Sequence, residues 1–104
     1  KIPKNIIDVY PNKIINIHPS LLPLYGGKGM YGKYVHQKVF EAKDKETGIT
    51  IHFVNESYDD GAIIFQAKCT LAENIKIQQI EKKVRDLEIF FFPLIIDNIL
   101  NEHN

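Results

Sequence analysis

Asn16 and His18 stand two residues apart in the run Lys13-Ile14-Ile15-Asn16-Ile17-His18. In a strand, alternate side chains share a face, so the carboxamide and the imidazole point one way while Ile15 and Ile17 point the other. A carboxamide N–H can donate to an oxygen that is becoming negative, and an imidazole moves a proton near neutral pH, so the pair suits acyl transfer. The structural alternative is a polar strand end whose histidine caps the following loop. Asp59 and Asp60 lie in a later loop. One of them reaches His18 and fixes its tautomer if the two strands are adjacent; otherwise they form a solvated acidic turn. His52, in Ile49-Thr50-Ile51-His52-Phe53-Val54, shares a face with Thr50 and Val54 and reads as a hydrogen-bonded core histidine that can also support the pair.

Other motifs are less specific. His18, His52 and Asp59 match no recognised metal-ligand spacing, so no metal is expected. Gly26-Gly27-Lys28-Gly29 exposes backbone N–H groups suited to a phosphate or carboxylate, yet it fits neither a Walker A loop nor the dinucleotide fingerprint and serves equally well as a hinge or lid. Ser20 lacks the Gly-x-Ser-x-Gly setting of a nucleophile elbow.

The elements that must position these residues follow from local pattern. Pro3 to Tyr10 reads as a short helix stopped by Pro11-Asn12, and Lys13 to Ile17 as a β-branched strand ended by His18-Pro19. Pro19 to Gly32, rich in proline and glycine, is a long loop. Apolar positions at Met30, Tyr34, Val35, Val39 and Ala42 predict a helix over most of 30–43, followed by a charged turn at Asp44 to Gly48. Ile49 to Val54 and Ile63 to Thr70 are strands flanking the acidic loop Asn55 to Gly61. Ile75 to Leu100 is one long amphipathic helix, kinked at Pro93. The order is α/β with three strands, flanking helices and a long C-terminal helix. A chain starting in mid-pattern is expected to be the C-terminal part of a larger α/β unit.

Composition narrows the class. With 44% hydrophobic residues over 104 positions, the chain can build one small core. Thirteen basic residues balance thirteen acidic ones, which disfavours nucleic acid or an anionic membrane as partner. The longest apolar run, Ile89 to Ile96, is far shorter than the roughly 20 residues of a membrane span. The single cysteine, Cys69, cannot close a disulfide within the chain, and a reducing cytoplasmic setting is expected.

Asn16-Ile17-His18-Pro19-Ser20-Leu21-Leu22-Pro23 resembles the signature of the formyltransferases that use 10-formyltetrahydrofolate. Gly26 to Gly32, Thr47 to Val54, Tyr58 to Ala67 and Leu87-Glu88 look like successive blocks of the phosphoribosylglycinamide formyltransferase family, over essentially the whole chain. The resemblance implies a Rossmann-like formyltransferase fold of which this is the C-terminal portion. It also implies transfer of a formyl group from the folate to the amine of glycinamide ribonucleotide, in purine biosynthesis. By the same resemblance Asn16, His18 and Asp59 are catalytic, with His52 in support. Met30 and the segment Asn55, Glu56, Ser57, Tyr58 and Asp59 would line the folate site. Glu88 would contact the glycinamide substrate, with Arg85 one turn earlier on the same side. Neither a metal nor a covalent intermediate is needed. The family's phosphate-gripping loop belongs to an N-terminal half absent here, so the chain alone is expected to be inactive and to self-associate through uncovered apolar surface. Formyltetrahydrofolate deformylase, methionyl-tRNA formyltransferase and a non-catalytic folate-binding half-domain are the alternatives.

Overall fold

A computed structural model describes residues 7–10, 13–27, 29–54 and 62–102. Its elements are β1 (Ile7–Tyr10), β2 (Lys13–His18), α1 (Gly32–Glu41), β3 (Glu46–Val54), β4 (Ile63–Thr70) and α2 (Ile77–Glu102). The strands form one sheet in the order β1-β2-β3-β4, and every neighbouring pair is antiparallel.

Three expectations need correction. The first concerns Ile7–Tyr10, which is a strand rather than the end of a helix, paired with β2 through Ile7↔Ile15, Asp8↔Ile14 and Tyr10↔Lys13. A helix of two turns is marginal without a packed face, whereas Ile-Asp-Val-Tyr can pair directly with a β-branched neighbouring strand. The start of that expected helix, residues 1–6, lies outside the described residues. The described sheet therefore has four strands, not three. The third correction is to the charged turn, which is shorter than expected because β3 begins at Glu46. Cross-strand pairs Glu46↔Thr70, Thr47↔Cys69 and Gly48↔Lys68 carry the ladder into it. The long loop, the two later strands and both helices stand close to where the pattern places them, while the loop at 55–61 lies outside the described residues.

The pleat sorts the core. Ile15 and Ile17 of β2 and Ile49 and Ile51 of β3 join Val35 and Val39 of α1 and Ile80, Val84, Phe92, Ile96 and Ile99 of α2 in one buried cluster. Helices therefore cover one face of the sheet. The opposite face of the central strands carries polar side chains in a square, because Asn16 pairs with His52 and His18 with Thr50. Pro93 stays inside α2, and its missing N–H deprives the Ile89 carbonyl of its helical partner on a side where Ile89 and Leu94 are exposed.

The loop after His18 is tied to the polar face through Thr50, which is completely buried. Its hydroxyl donates to the Ser20 carbonyl at 2.7 Å and accepts from the Leu22 N–H at 2.9 Å and from Gln66 Nε2 at 3.0 Å. One donor and two acceptor sites are thereby all used. Gln66 Nε2 also reaches the Leu22 carbonyl at 3.0 Å. Gly48 permits the close approach this needs. A Cβ there would lie 2.0 Å from the Ala67 carbonyl oxygen and 2.8 Å from Leu21 Cδ2.

Gly48→Ala is expected to destabilise the chain by roughly 1–3 kcal/mol or more, since backbone rather than a flexible side chain must move. Thr50→Val leaves buried polar partners unpaired and should cost about 2 kcal/mol or more. Urea unfolding midpoints check both.

Candidate active site

Asn16, His18, His52, Leu22, Met30 and Gly29 help line a cavity of about 240 Å³ on the polar side of the sheet. Asn16 and His52 are held there by the β2–β3 register; His18 comes from the last position of β2, where Pro19 turns the chain away. His52 is 1% exposed, and its Nδ1 lies 3.0 Å from the Phe53 carbonyl oxygen. A carbonyl only accepts, so Nδ1 carries the proton and, in the neutral ring, Nε2 is the acceptor. Asn16 Nδ2 then donates to His52 Nε2 at 3.5 Å, a long bond. That leaves Asn16 Oδ1 buried without a partner, an acceptor waiting on the cavity side of β2. His18 donates from Nε2 to the Tyr25 carbonyl at 3.0 Å.

Four of the expected site residues, Asn16, His18, His52 and Met30, thus come together at one cavity. Asp59 and the segment Asn55–Tyr58 lie outside the described residues. Glu88 and Arg85 sit one turn apart on α2 and are not part of this cavity's lining. Burial pushes the Glu88 carboxyl up from its ordinary value, and Arg85 draws it back down. Among the described residues no cluster of His, Cys, Asp and Glu is arranged to hold a metal ion. A larger cavity of about 650 Å³, between the end of α1 and the start of α2, contains none of the expected site residues.

His36 was not anticipated. It occupies a core position of α1 between Val35 and Val39, is 7% exposed, and its Nδ1 has no hydrogen-bond partner. Loss of hydration lowers its pKa; Glu81 opposes that and Arg85 reinforces it. A Cβ on Gly32, which lines the cavity, would lie 3.9 Å from His36 Nε2. His36 therefore stands between the cavity wall and the charged side chains of α2. The only signal in the sequence was a histidine set among the buried positions of an amphipathic helix.

Comparison with known proteins places the chain in a family. The formyl transferase family model matches residues 1–96, and the chain belongs to that family. Among its relatives is the chloroplastic phosphoribosylglycinamide formyltransferase of Arabidopsis thaliana, 40% identical over 97% of this chain and 35% of the relative. The Haemophilus influenzae phosphoribosylglycinamide formyltransferase is 45% identical over 84% of this chain and 39% of its own length. A crystal structure of phosphoribosylglycinamide formyltransferase from Bacillus halodurans superposes with a TM-score of 0.74 at 31% identity, covering 86% of this chain and 44% of that one. The chain spans less than half the length of each of these relatives.

Because the folded pKa of His36 lies below its unfolded value, the unfolded chain binds more protons at and below pH 6.5, and stability falls as the pH drops through that value. Glu88 has the opposite sign: its raised folded pKa costs stability as the pH rises through it. Unfolding midpoints measured from pH 7 down to pH 5 should therefore fall less steeply in His36→Gln than in the parent chain, and more steeply in Glu88→Gln.

Proposed function

We propose that this chain carries the catalytic centre of a phosphoribosylglycinamide formyltransferase, moving a formyl group from 10-formyltetrahydrofolate to the amine of glycinamide ribonucleotide. The observation that carries this reading is the meeting of Asn16, His18 and His52 at one cavity, with an unpaired amide oxygen among them. The substrate amine attacks the formyl carbon, and the carbonyl oxygen becomes negative as the tetrahedral centre forms. Asn16 Nδ2 has two hydrogens, one directed at His52 and one for that oxygen; protonated His18 supplies the second donor. His52 keeps the Asn16 amide turned the useful way, since its Nδ1 proton is committed to Phe53.

Asp59, seven residues beyond His52, would hold His18 charged and pass the amine proton through water to the departing folate nitrogen. Asn55, Glu56, Ser57 and Tyr58 would cradle the pterin, with Met30 on the other wall. Glu88 and Arg85 would meet the glycinamide end of the nucleotide.

The partner that completes the enzyme is the remainder of the fold, which supplies the phosphate grip. Ile89, Phe90 and Leu94 on α2 are 60%, 62% and 49% exposed and fit a surface made to be covered. Alone, the chain should sediment with a concentration-dependent mass, and Phe90→Glu should restore a monomer.

Fusing this chain to the N-terminal half of the Bacillus halodurans relative and following formyl transfer by absorbance tests the chemistry. Asn16→Ala and His18→Ala are each expected to lower kcat about a hundredfold to a thousandfold. Folate turnover without formylation of the amine would make the protein a deformylase, and full activity in both variants would remove the proposed centre.

A further inference from the structure

Tyr25 has a backbone φ of 54°, a left-handed conformation that a residue with a bulky side chain rarely holds without support. Two hydrogen bonds involve it, one through its backbone and one through its side chain. Its carbonyl accepts the His18 Nε2 proton at 3.0 Å, and its phenol donates to Asp44 Oδ2 at 2.6 Å, nineteen residues along the chain in the turn between α1 and β3. Asp44 holds the phenol proton firmly enough to push the Tyr25 pKa up to about 12.

The rest of the loop is fastened elsewhere. Thr50 grips the backbone at Ser20 and Leu22, and the Ser20 hydroxyl reaches the Leu24 carbonyl. Beyond Leu24 the chain enters the glycine-rich stretch, where Gly27 and Gly29 both have positive φ. At the junction between the fastened part and the glycines, the Tyr25 side chain is tied to Asp44.

We propose that Tyr25 and Asp44 form a positioning latch for His18. The phenol–carboxylate bond holds the loop so that the Tyr25 carbonyl faces the imidazole and decides which ring nitrogen keeps the proton. A carbonyl cannot donate, so the neutral His18 ring carries hydrogen on Nε2 and its lone pair on Nδ1. With Nε2 committed to that carbonyl, the hydrogen that protonated His18 offers to the negative oxygen is the one on Nδ1. Imidazole orientation by a backbone carbonyl is a general device for selecting a tautomer; here the carbonyl itself is oriented, by a side chain whose own hydrogen bond goes to Asp44. The catalytic meaning of the latch rests on the transferase reading of His18, but the tautomer it selects does not.

Long-range ¹H–¹⁵N spectra of the labelled chain, recorded at a pH where the imidazoles are neutral, read the tautomer directly. His18 should appear as the Nε2–H form and His52, as an internal control, as the Nδ1–H form. In Tyr25→Phe and in Asp44→Ala the two His18 nitrogen resonances should move toward each other as the tautomers mix, while His52 is unchanged. The double variant should go no further than either single one. An unchanged His18 pattern in either single variant overturns the latch, as does a parent chain with its His18 proton on Nδ1. Loss of the His52 signature together with that of His18 also overturns it, by making the bond a general fold support. No formyl transfer is needed for this readout, so failure of the transferase reading would leave the latch standing, and its own failure would leave that reading intact.

Discussion

The pairing of β2 with β3 is the constraint from which the site follows. It sets Asn16 against His52 and His18 against Thr50, four polar side chains on one face, while the isoleucines between them enter the helical core. Side chains alternate with a strict period of two, so a slip of β2 by one residue would carry Asn16 and His18 under the helices and turn Ile15 and Ile17 toward the cavity. The cost of burying those two polar groups without partners makes the register hard to mistake. Core and site are thus specified by a single choice, and neither can be altered without the other.

Thr50 makes that arrangement more than a strand pair. Its saturated hydroxyl converts the opposite face of β3 into a mount for the loop that begins at Pro19, and Gln66 extends the mount onto β4. The same loop returns to the turn after α1 through Tyr25 and Asp44. A segment rich in proline and glycine, which from composition alone reads as free to move, is fastened at both ends of its first half. The cavity is shaped by these fastenings as much as by the sheet.

How much of this could be read in the amino-acid order depends on the range of the forces concerned. β4 and α2 carry their own signals in strand composition and in three-four spacing, and they stand where those signals put them. β1 was misread because four residues are too few to establish a period, and its state is decided by the neighbour it finds. The first three residues of β3 were lost to the turn because charge and glycine spoke louder locally than partners 20 to 24 residues away. Asn16 and His18 were legible from alternation, and their pairing with a formyltransferase signature gave them roles. His36 was hidden because what makes it unusual is the loss of hydration that tertiary packing imposes, with Glu81 opposing and Arg85 reinforcing its effect from another helix. The roles of Tyr25 and Asp44 depend on a backbone conformation that no spacing rule reports.

The sheet order also bears on how the molecule is assembled in time. β1 meets β2, and β3 meets β4, across short stretches of chain, whereas Asn16 and His52 are 36 residues apart. Closing the larger loop carries the greater entropy cost and is repaid only once the central strands are in register. Two local hairpins can therefore exist before there is any cavity, and the polar square comes into being only when the hairpins join. A partly folded chain is one in which both histidines are present and neither has met its partner.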